Sequence, residues 1–126
     1  MKRILFADDE PQLRILLNAT LSINEYQLFE AADGAQALAM IEAHKPDLVI
    51  LDWMMPKLTG IQVAESLRDN PQTASIPVIM LTARGMQRDR QIGKLAAIKE
   101  YVVKPFSPNN LLEIVEGILN GVAVAQ

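Results

Sequence analysis

A short apolar run that ends in a carboxylate is the feature that most constrains this chain. Residues 48–51 are Leu, Val, Ile and Leu, and the run lies between Pro46 and Pro56. It is too short for a helix, and its hydrophobicity predicts a strand buried on both faces, as in the middle of a parallel sheet. Asp52 follows at once. A carboxylate there costs free energy unless a cation or a hydrogen-bond donor meets it, so the sequence indicates a ligand site.

Strand-like and amphipathic segments alternate along the chain. The predicted strands cover residues 3–7, 26–31, 48–51, 76–82 and 101–103. The predicted helices cover residues 11–21, 35–45, 60–69, 86–96 and 108–119. Asp33-Gly34 is predicted as a turn, and Ser107 as the N-cap before Pro108. This alternation predicts an α/β fold with a doubly wound five-stranded parallel sheet in the order 2-1-3-4-5 and five helices.

Length and composition narrow the possible classes. With 126 residues, half of them hydrophobic, the chain predicts one domain over residues 1–120 and a short tail over 121–126. The net charge of −3 argues weakly against direct binding of nucleic acid. No cysteine is present and His44 is the single histidine, which excludes Cys-based and multi-His metal sites. His44 is predicted at the surface, in the last turn of its helix. The absence of a signal peptide or a membrane-length apolar run predicts a cytoplasmic protein without a membrane partner.

The predicted strand order brings polar side chains together at one edge of the sheet. Asp8, Asp9 and Asp52 follow neighbouring central strands, Thr82 ends the fourth strand, and Lys104 ends the fifth. Oxygen ligands without His or Cys favour a hard cation, Mg²⁺ before Ca²⁺. A carboxylate nucleophile, a cation, an ammonium group and a hydroxyl are the groups needed to receive a phosphoryl group.

Taken in order, these motifs resemble the receiver domain of two-component response regulators, the CheY-like family. Alone, Asp8-Asp9 is equally consistent with a helix cap, and Asp52 with a turn. The resemblance rests on the whole ordered set and extends over about residues 3–119. Its motifs are Asp8-Asp9, Asp52 with Met55-Pro56 and Gly60, Thr82-Ala83, and Lys104-Pro105-Phe106.

The resemblance implies a role for each acidic residue. Asp52 is the phosphoacceptor, and a histidine kinase or a phosphotransfer protein supplies the phosphoryl group. Asp9, Asp52 and the backbone carbonyl of Met54 bind Mg²⁺ directly, and Asp8 acts through water. Such a domain is not an enzyme beyond its own phosphorylation and dephosphorylation.

The resemblance also implies how phosphorylation changes the surface of the domain. Lys104 pairs with the phosphoryl group, and its bond to Pro105 is cis. Thr82 moves toward the phosphoryl group, and Tyr101 turns inward. This step repacks the face formed by the fourth helix, the fifth strand and the fifth helix, which contacts a downstream protein or a second copy of the chain.

The resemblance also draws attention to residues that influence the phosphoryl group and to residues that depart from the family pattern. Met54 and Arg84 lie at positions that set the lifetime of the phosphoryl group, and apolar Met54 predicts slow hydrolysis. Just after the fourth helix, Ala97 replaces a usual glycine, and within that helix Gly93 lies where alanine is common. Ile92 and Leu95 replace polar residues there. They indicate either a shifted helix register that buries them, or a mobile helix with an apolar surface for a partner.

Two other functions compete with a receiver. A haloacid dehalogenase-type phosphatase also uses an Asp nucleophile, Mg²⁺ and a lysine, but it needs Asp-x-Asp-x-Thr after its first strand. Here that strand is followed by Asp8-Asp9-Glu10-Pro11. A receiver-like adaptor that needs no phosphate is the other alternative, and the complete Asp, Thr and Lys set argues against it. Phosphate-binding loops of nucleotide switches are absent from the sequence.

Overall fold

A parallel sheet of five strands forms the centre of the structure, a computed structural model that describes residues 1–83 and 98–121. The strands are β1 (Lys2–Ala7), β2 (Tyr26–Ala31), β3 (Leu48–Asp52), β4 (Val78–Ala83) and β5 (Glu100–Lys104). They lie side by side in the order β2-β1-β3-β4-β5, and each described pairing is parallel. The predicted doubly wound order is therefore confirmed.

The described helices pack around this sheet. They are α1 (Pro11–Leu21), α2 (Gly34–His44), α3 (Gly60–Arg68) and α4 (Pro108–Asn120). The helix α4 corresponds to the fifth predicted helix. The fourth predicted helix, over residues 86–96, lies outside the described residues, as do the predictions for Arg84 and Ala97 and the tail from residue 122. Among the described helices, none combines the length and the apolar character that crossing a bilayer requires.

Two apolar layers enclose the sheet, and β3 is buried along its whole length. On one face, Leu5 and Val49 belong to a buried cluster with side chains of α2 and α3. On the other face, Phe6 and Ile50 join side chains of α1 and α4. Because successive strand side chains point to opposite faces, one unbroken apolar run supplies both layers. This arrangement confirms the prediction that residues 48–51 form a doubly covered strand.

Side-chain caps mark where three of the described helices begin, and the caps of α2 and α4 bear on the predictions. The Ser107 hydroxyl accepts a hydrogen bond from the Asn110 amide at 3.3 Å, which confirms the predicted cap of α4. The Asp33 carboxylate accepts one from the Gln36 amide at 2.7 Å, and α2 begins directly at Gly34. The predicted turn at Asp33-Gly34 is therefore wrong, because an extended Asp33 satisfies an amide that the first helical turn leaves unpaired.

The fourth and fifth strands differ slightly from the prediction. The strand β4 begins at Val78, two residues later than expected, and the carbonyl of Pro77 still accepts a hydrogen bond from the Val49 amide at 3.1 Å. Proline has no amide hydrogen to give to the sheet, so the ladder starts after it. The strand β5 extends to Lys104. Parallel registers of β3, β4 and β5 therefore determine where Thr82 and Lys104 lie.

His44 is exposed to solvent, and its ring also packs against an aromatic ring of the sheet. It is the last residue of α2 and is exposed, which confirms the sequence prediction. Its ring stacks on that of Phe29, with centroids 4.5 Å apart and planes inclined by 17°. This contact joins the end of α2 to the edge strand β2.

The close packing of Gly60 against β3 leads to a first prediction. A Cβ atom on Gly60 would overlap the backbone oxygen of Asp52 and lie 2.8 Å from the Met80 sulfur. We expect Gly60→Ala to lower the free energy of unfolding by about 1–3 kcal/mol, because this strain outweighs the helix propensity of alanine. Urea unfolding measures the change. Ala43→Gly, at an exposed position of α2, is the reference and is expected to cost about 1 kcal/mol. A Gly60→Ala variant more stable than the wild type would contradict the packing.

Candidate functional site

Residues from four strands meet at the carboxyl edge of the sheet. Asp8 follows β1, and Asp52 is the last residue of β3. Thr82 is the second-to-last residue of β4, and Lys104 is the last residue of β5. In the parallel register, Asp52 lies beside Leu81, and Lys104 lies beside the last residue of β4. Parallel strands present their carboxyl ends at the same edge, so residues distant in sequence become neighbours.

The Lys104 ammonium group lies at the centre of this cluster. Its Nζ atom is 3.2 Å from Oδ1 of Asp52 and 3.7 Å from Oδ2 of Asp8. A third carboxylate, that of Glu10, places Oε1 at 3.7 Å from the same nitrogen. The Lys104 side chain is only 19% exposed, so these charges interact with little intervening water.

Glu10 is a member of the cluster that the sequence analysis did not assign. Among the described residues, carboxylate oxygens of Asp8, Glu10 and Asp52 lie within 4.8 Å of one another. The Glu10 amide donates a hydrogen bond to Oδ1 of Asp8 at 2.9 Å. An aspartate that accepts a bond from the amide two residues on folds the chain into a tight turn. An aspartate followed two residues later by an acid is therefore the sequence signal that could have assigned Glu10 to the site.

A cavity of about 360 Å³ opens above the Asp52 carboxylate. Two residues predicted at the site, Asp9 and Met54, are exposed and line this cavity. The lining is formed by Asp9, Glu10, Asp52, Trp53, Met54, Ala83 and Lys104. The Asp52 side chain is 6% exposed, so the cavity gives an otherwise buried carboxylate access to a small charged group.

Burial and charge shift the ionisation of the central groups. The pKa of Asp52 is raised to about 6, chiefly by burial and next by the charge of Asp8, against the lowering effect of Lys104. Burial also raises the pKa of Asp8. For Lys104, burial lowers the pKa, but the nearby carboxylates outweigh it and the pKa is raised overall. Added positive charge would therefore stabilise the ionised site.

Two buried oxygen atoms indicate what the site can hold. Within the described part of the chain, Oδ2 of Asp8 and Oγ1 of Thr82 are buried and have no hydrogen-bond partner. A buried polar atom without a partner costs free energy, which a ligand can recover. The carboxylates provide hard oxygen ligands of the type that Mg²⁺ prefers, so the donor set fits this cation. The Thr82 hydroxyl can donate a hydrogen bond to an anion beside Lys104.

The residues with a predicted switching role lie next to the site. Tyr101, in β5, is partly buried, and its ring centroid lies 6.5 Å from that of Trp53 with the planes inclined by 36°. The bond between Lys104 and Pro105 is cis, as the resemblance implied. Arg84, the second residue with a predicted effect on phosphoryl lifetime, lies outside the described residues.

The sequence matches a known family over most of its length. Residues 4–116 match the family described as response regulator receiver domain. One relative is the phosphate regulon transcriptional regulatory protein PhoB of Pseudomonas aeruginosa, which is 39% identical over 118 residues. The match covers 94% of this chain and 52% of that protein. The chain spans about half the length of the curated relatives it matches.

Solved structures show the same fold. The chemotaxis protein CheY4 of Vibrio cholerae has a TM-score of 0.88 and 33% identity, covering 94% of this chain and 99% of that one. A receiver domain of a Pseudomonas aeruginosa sensor histidine kinase, solved with a magnesium ion in its active-site cleft, has a TM-score of 0.86 and 28% identity. It covers 94% of this chain and 98% of that one. The chain therefore belongs to the response regulator receiver domain family.

Proposed function

We propose that this chain is a phosphorylation-dependent switch in which Asp52 accepts a phosphoryl group from a histidine kinase or a phosphotransfer protein. One observation carries the proposal. The nearly buried Asp52 carboxylate lies 3.2 Å from the Lys104 ammonium, at the base of a cavity lined by further carboxylates. Membership of the receiver family favours this reading over the phosphatase alternative. The complete set of Asp, Thr and Lys side chains at the site favours it over an adaptor that needs no phosphate. We propose residues 1–120 as the domain and 121–126 as its tail.

The chemistry follows from the positions of the side chains. An Asp52 oxygen attacks phosphorus, a P–O bond forms, and the P–N bond to the donor histidine breaks. The displaced ring nitrogen keeps the electron pair of that bond, and the imidazole leaves as a neutral group because its other ring nitrogen carries the proton. Lys104 offsets the negative charge that spreads over the phosphoryl oxygens. The Thr82 hydroxyl, which has no hydrogen-bond partner among residues 1–83 and 98–121, donates a hydrogen bond to one of them. The same groups act in hydrolysis, when a water oxygen attacks phosphorus, the P–O bond to Asp52 breaks and inorganic phosphate leaves.

A divalent cation belongs to this proposal, and Mg²⁺ fits best. We propose Asp9, Asp52 and the Met54 carbonyl as its direct ligands, with Asp8 acting through water. Asp9, Asp52 and Met54 line one cavity, and a related receiver domain was solved with magnesium in its cleft. When bound, the cation supplies positive charge beside the transferred phosphoryl group. The apolar Met54 side chain, which is 60% exposed, screens the phosphoryl group from water and slows its hydrolysis.

The output follows from coupling between the site and β5. The buried Thr82 moves toward the phosphoryl group, and the half-buried Tyr101 follows into the space it leaves. This step biases an equilibrium between two arrangements of the surface around β5 and α4, the helix that corresponds to the fifth predicted helix. That surface contacts a protein target or a second copy of the chain. With a net charge of −3, this chain signals by protein contact without binding nucleic acid itself.

Trp53 provides a direct test, because it is the only tryptophan and lies beside Asp52. Its side chain is nearly buried, lines the cavity and lies near Tyr101. We expect Mg²⁺ to change its fluorescence, and beryllofluoride, which mimics a phosphoryl group on a carboxylate, to change it again. Asp52→Asn should remove the second change. A second change that survives in Asp52→Asn would refute the assignment, and turnover of an aryl phosphate would instead favour a phosphatase.

A further inference from the structure

Glu10 occupies the N-cap position of α1 but does not cap the helix. Its side chain makes no capping hydrogen bond, although glutamate at a helix start is surrounded by unpaired amides. The side chain turns toward the site instead, where Oε1 lies 3.7 Å from the Lys104 ammonium. It is 61% exposed, so burial does not force this orientation. The geometry therefore joins Glu10 to the charges around Asp52.

The charge balance of the site depends on Glu10. Four carboxylates, those of Asp8, Asp9, Glu10 and Asp52, and one ammonium group give a net charge of −3 when all are ionised. A divalent cation brings this sum to −1, and a phosphoryl group on Asp52 makes it more negative. Without the Glu10 charge, the cation would bring the sum to zero, and the phosphoryl group would meet one negative charge fewer.

We propose that Glu10 tunes the site electrostatically, strengthening cation binding while weakening retention of the phosphoryl group. The inference rests on the proposed function. A carboxylate attracts the cation and repels the phosphoryl oxygens by the same Coulomb interaction, so the two effects must have opposite signs. Glu10 also competes with the phosphoryl group for Lys104, since one ammonium serves both. A purely structural role for Glu10 does not predict that cation affinity and phosphoryl retention change in opposite directions.

The variant Glu10→Gln separates these two effects, because it removes the charge and keeps the shape. Glu42→Gln is the matched control. It removes the same charge from an exposed position in the last turn of α2, at the opposite edge of the sheet. Titration with Mg²⁺ at low ionic strength, followed by Trp53 fluorescence and by calorimetry, gives the cation affinity. Titration with beryllofluoride at saturating Mg²⁺ gives the affinity for the phosphoryl mimic.

We expect Glu10→Gln to weaken Mg²⁺ binding and to tighten beryllofluoride binding, each by about three- to tenfold, because the charge is close but partly exposed. Both differences should shrink at high salt. Glu42→Gln should change neither affinity by more than about twofold, since its exposed charge lies in the last turn of α2 and not in the cavity lining. Equal thermal unfolding of the variants shows that folding is not the cause.

The outcomes distinguish the inference from the function on which it rests. If the wild type binds beryllofluoride and Glu10→Gln behaves like Glu42→Gln, the proposal for Glu10 is wrong and the switch stands. A change of the same sign in both affinities also overturns it, because charge alone cannot produce that result. If the wild type binds no beryllofluoride by either method, the proposed function and this inference fall together.

Discussion

Phosphoryl uptake from a small donor such as phosphoramidate is expected to fall by at least about 100-fold when Asp52 is replaced by asparagine, because the amide is a far weaker nucleophile than a carboxylate. Asp52 is the cavity-lining carboxylate closest to Lys104, so the loss should be nearly complete. Intact-protein mass spectrometry measures the gain of one phosphoryl group in the presence of Mg²⁺. Removal of divalent cations with EDTA should suppress uptake in the wild type as well.

Asp69→Asn is the matched control for this experiment. Asp69 is an exposed aspartate that pairs with Arg68 at 2.9 Å, at the end of α3 and away from the cavity. The same chemical change there should leave phosphoryl uptake at the wild-type level. Uptake that persists in Asp52→Asn would show that another side chain is the acceptor, and peptide mapping of the modified protein would identify it.

The second large effect concerns stability without a divalent cation. Burial and Asp8 hold the pKa of Asp52 at about 6 in the folded protein, against 3.8 as the reference value. We expect Asp52→Asn to raise the free energy of unfolding at pH 7.5 by about 2–3 kcal/mol, because it removes an ionised carboxylate that the fold disfavours. Asp52 is 4% exposed, so solvent screens this cost only weakly.

The direction of the pH dependence follows from the raised pKa. The folded protein holds the Asp52 proton more tightly than the unfolded chain, so the contribution of Asp52 to stability falls as pH rises from about 4 to about 6. The advantage of Asp52→Asn should therefore be large at pH 7.5 and nearly absent at pH 4. Urea unfolding in EDTA at both pH values measures it. Added Mg²⁺ should stabilise the wild type and narrow the gap, and an asparagine variant less stable at pH 7.5 would contradict the charge assignment.

The alternation of strands and helices was sufficient to predict the fold. The side chains of the unbroken apolar run from Leu48 to Leu51 point to both faces of the sheet and can be buried only if both faces are covered. Apolar layers cover both faces in the structure. The strand order alone predicts that Asp8, Asp52 and Lys104 lie at one edge of the sheet. The Lys104 ammonium lies 3.2 Å from the Asp52 carboxylate and 3.7 Å from the Asp8 carboxylate, in agreement with that expectation. These features were predictable because hydrophobic periodicity and parallel topology act over whole segments.

Details that depend on single contacts were not predictable in the same way. The pattern Asp33-Gly34 is typical of a turn, yet Asp33 caps α2, and a Cβ atom on Gly34 would overlap the backbone oxygen of Leu58. The need for glycine arises there from a neighbour that is distant in sequence. Glu10 was assigned no role, because its place beside Lys104 depends on a turn around Asp8 and on the length of β5.

By itself, the sequence determined the α/β architecture, the family and the edge of the sheet at which the acidic residues gather. Only the tertiary structure decided that Glu10 joins Asp8 and Asp52 around the ammonium, and that Asp52 titrates near pH 6. The physical reason is the range of the forces involved. Burial patterns repeat along the chain and can be recognised in it, whereas a pKa and an ion pair depend on desolvation and on distances of a few ångströms between residues that folding alone brings together.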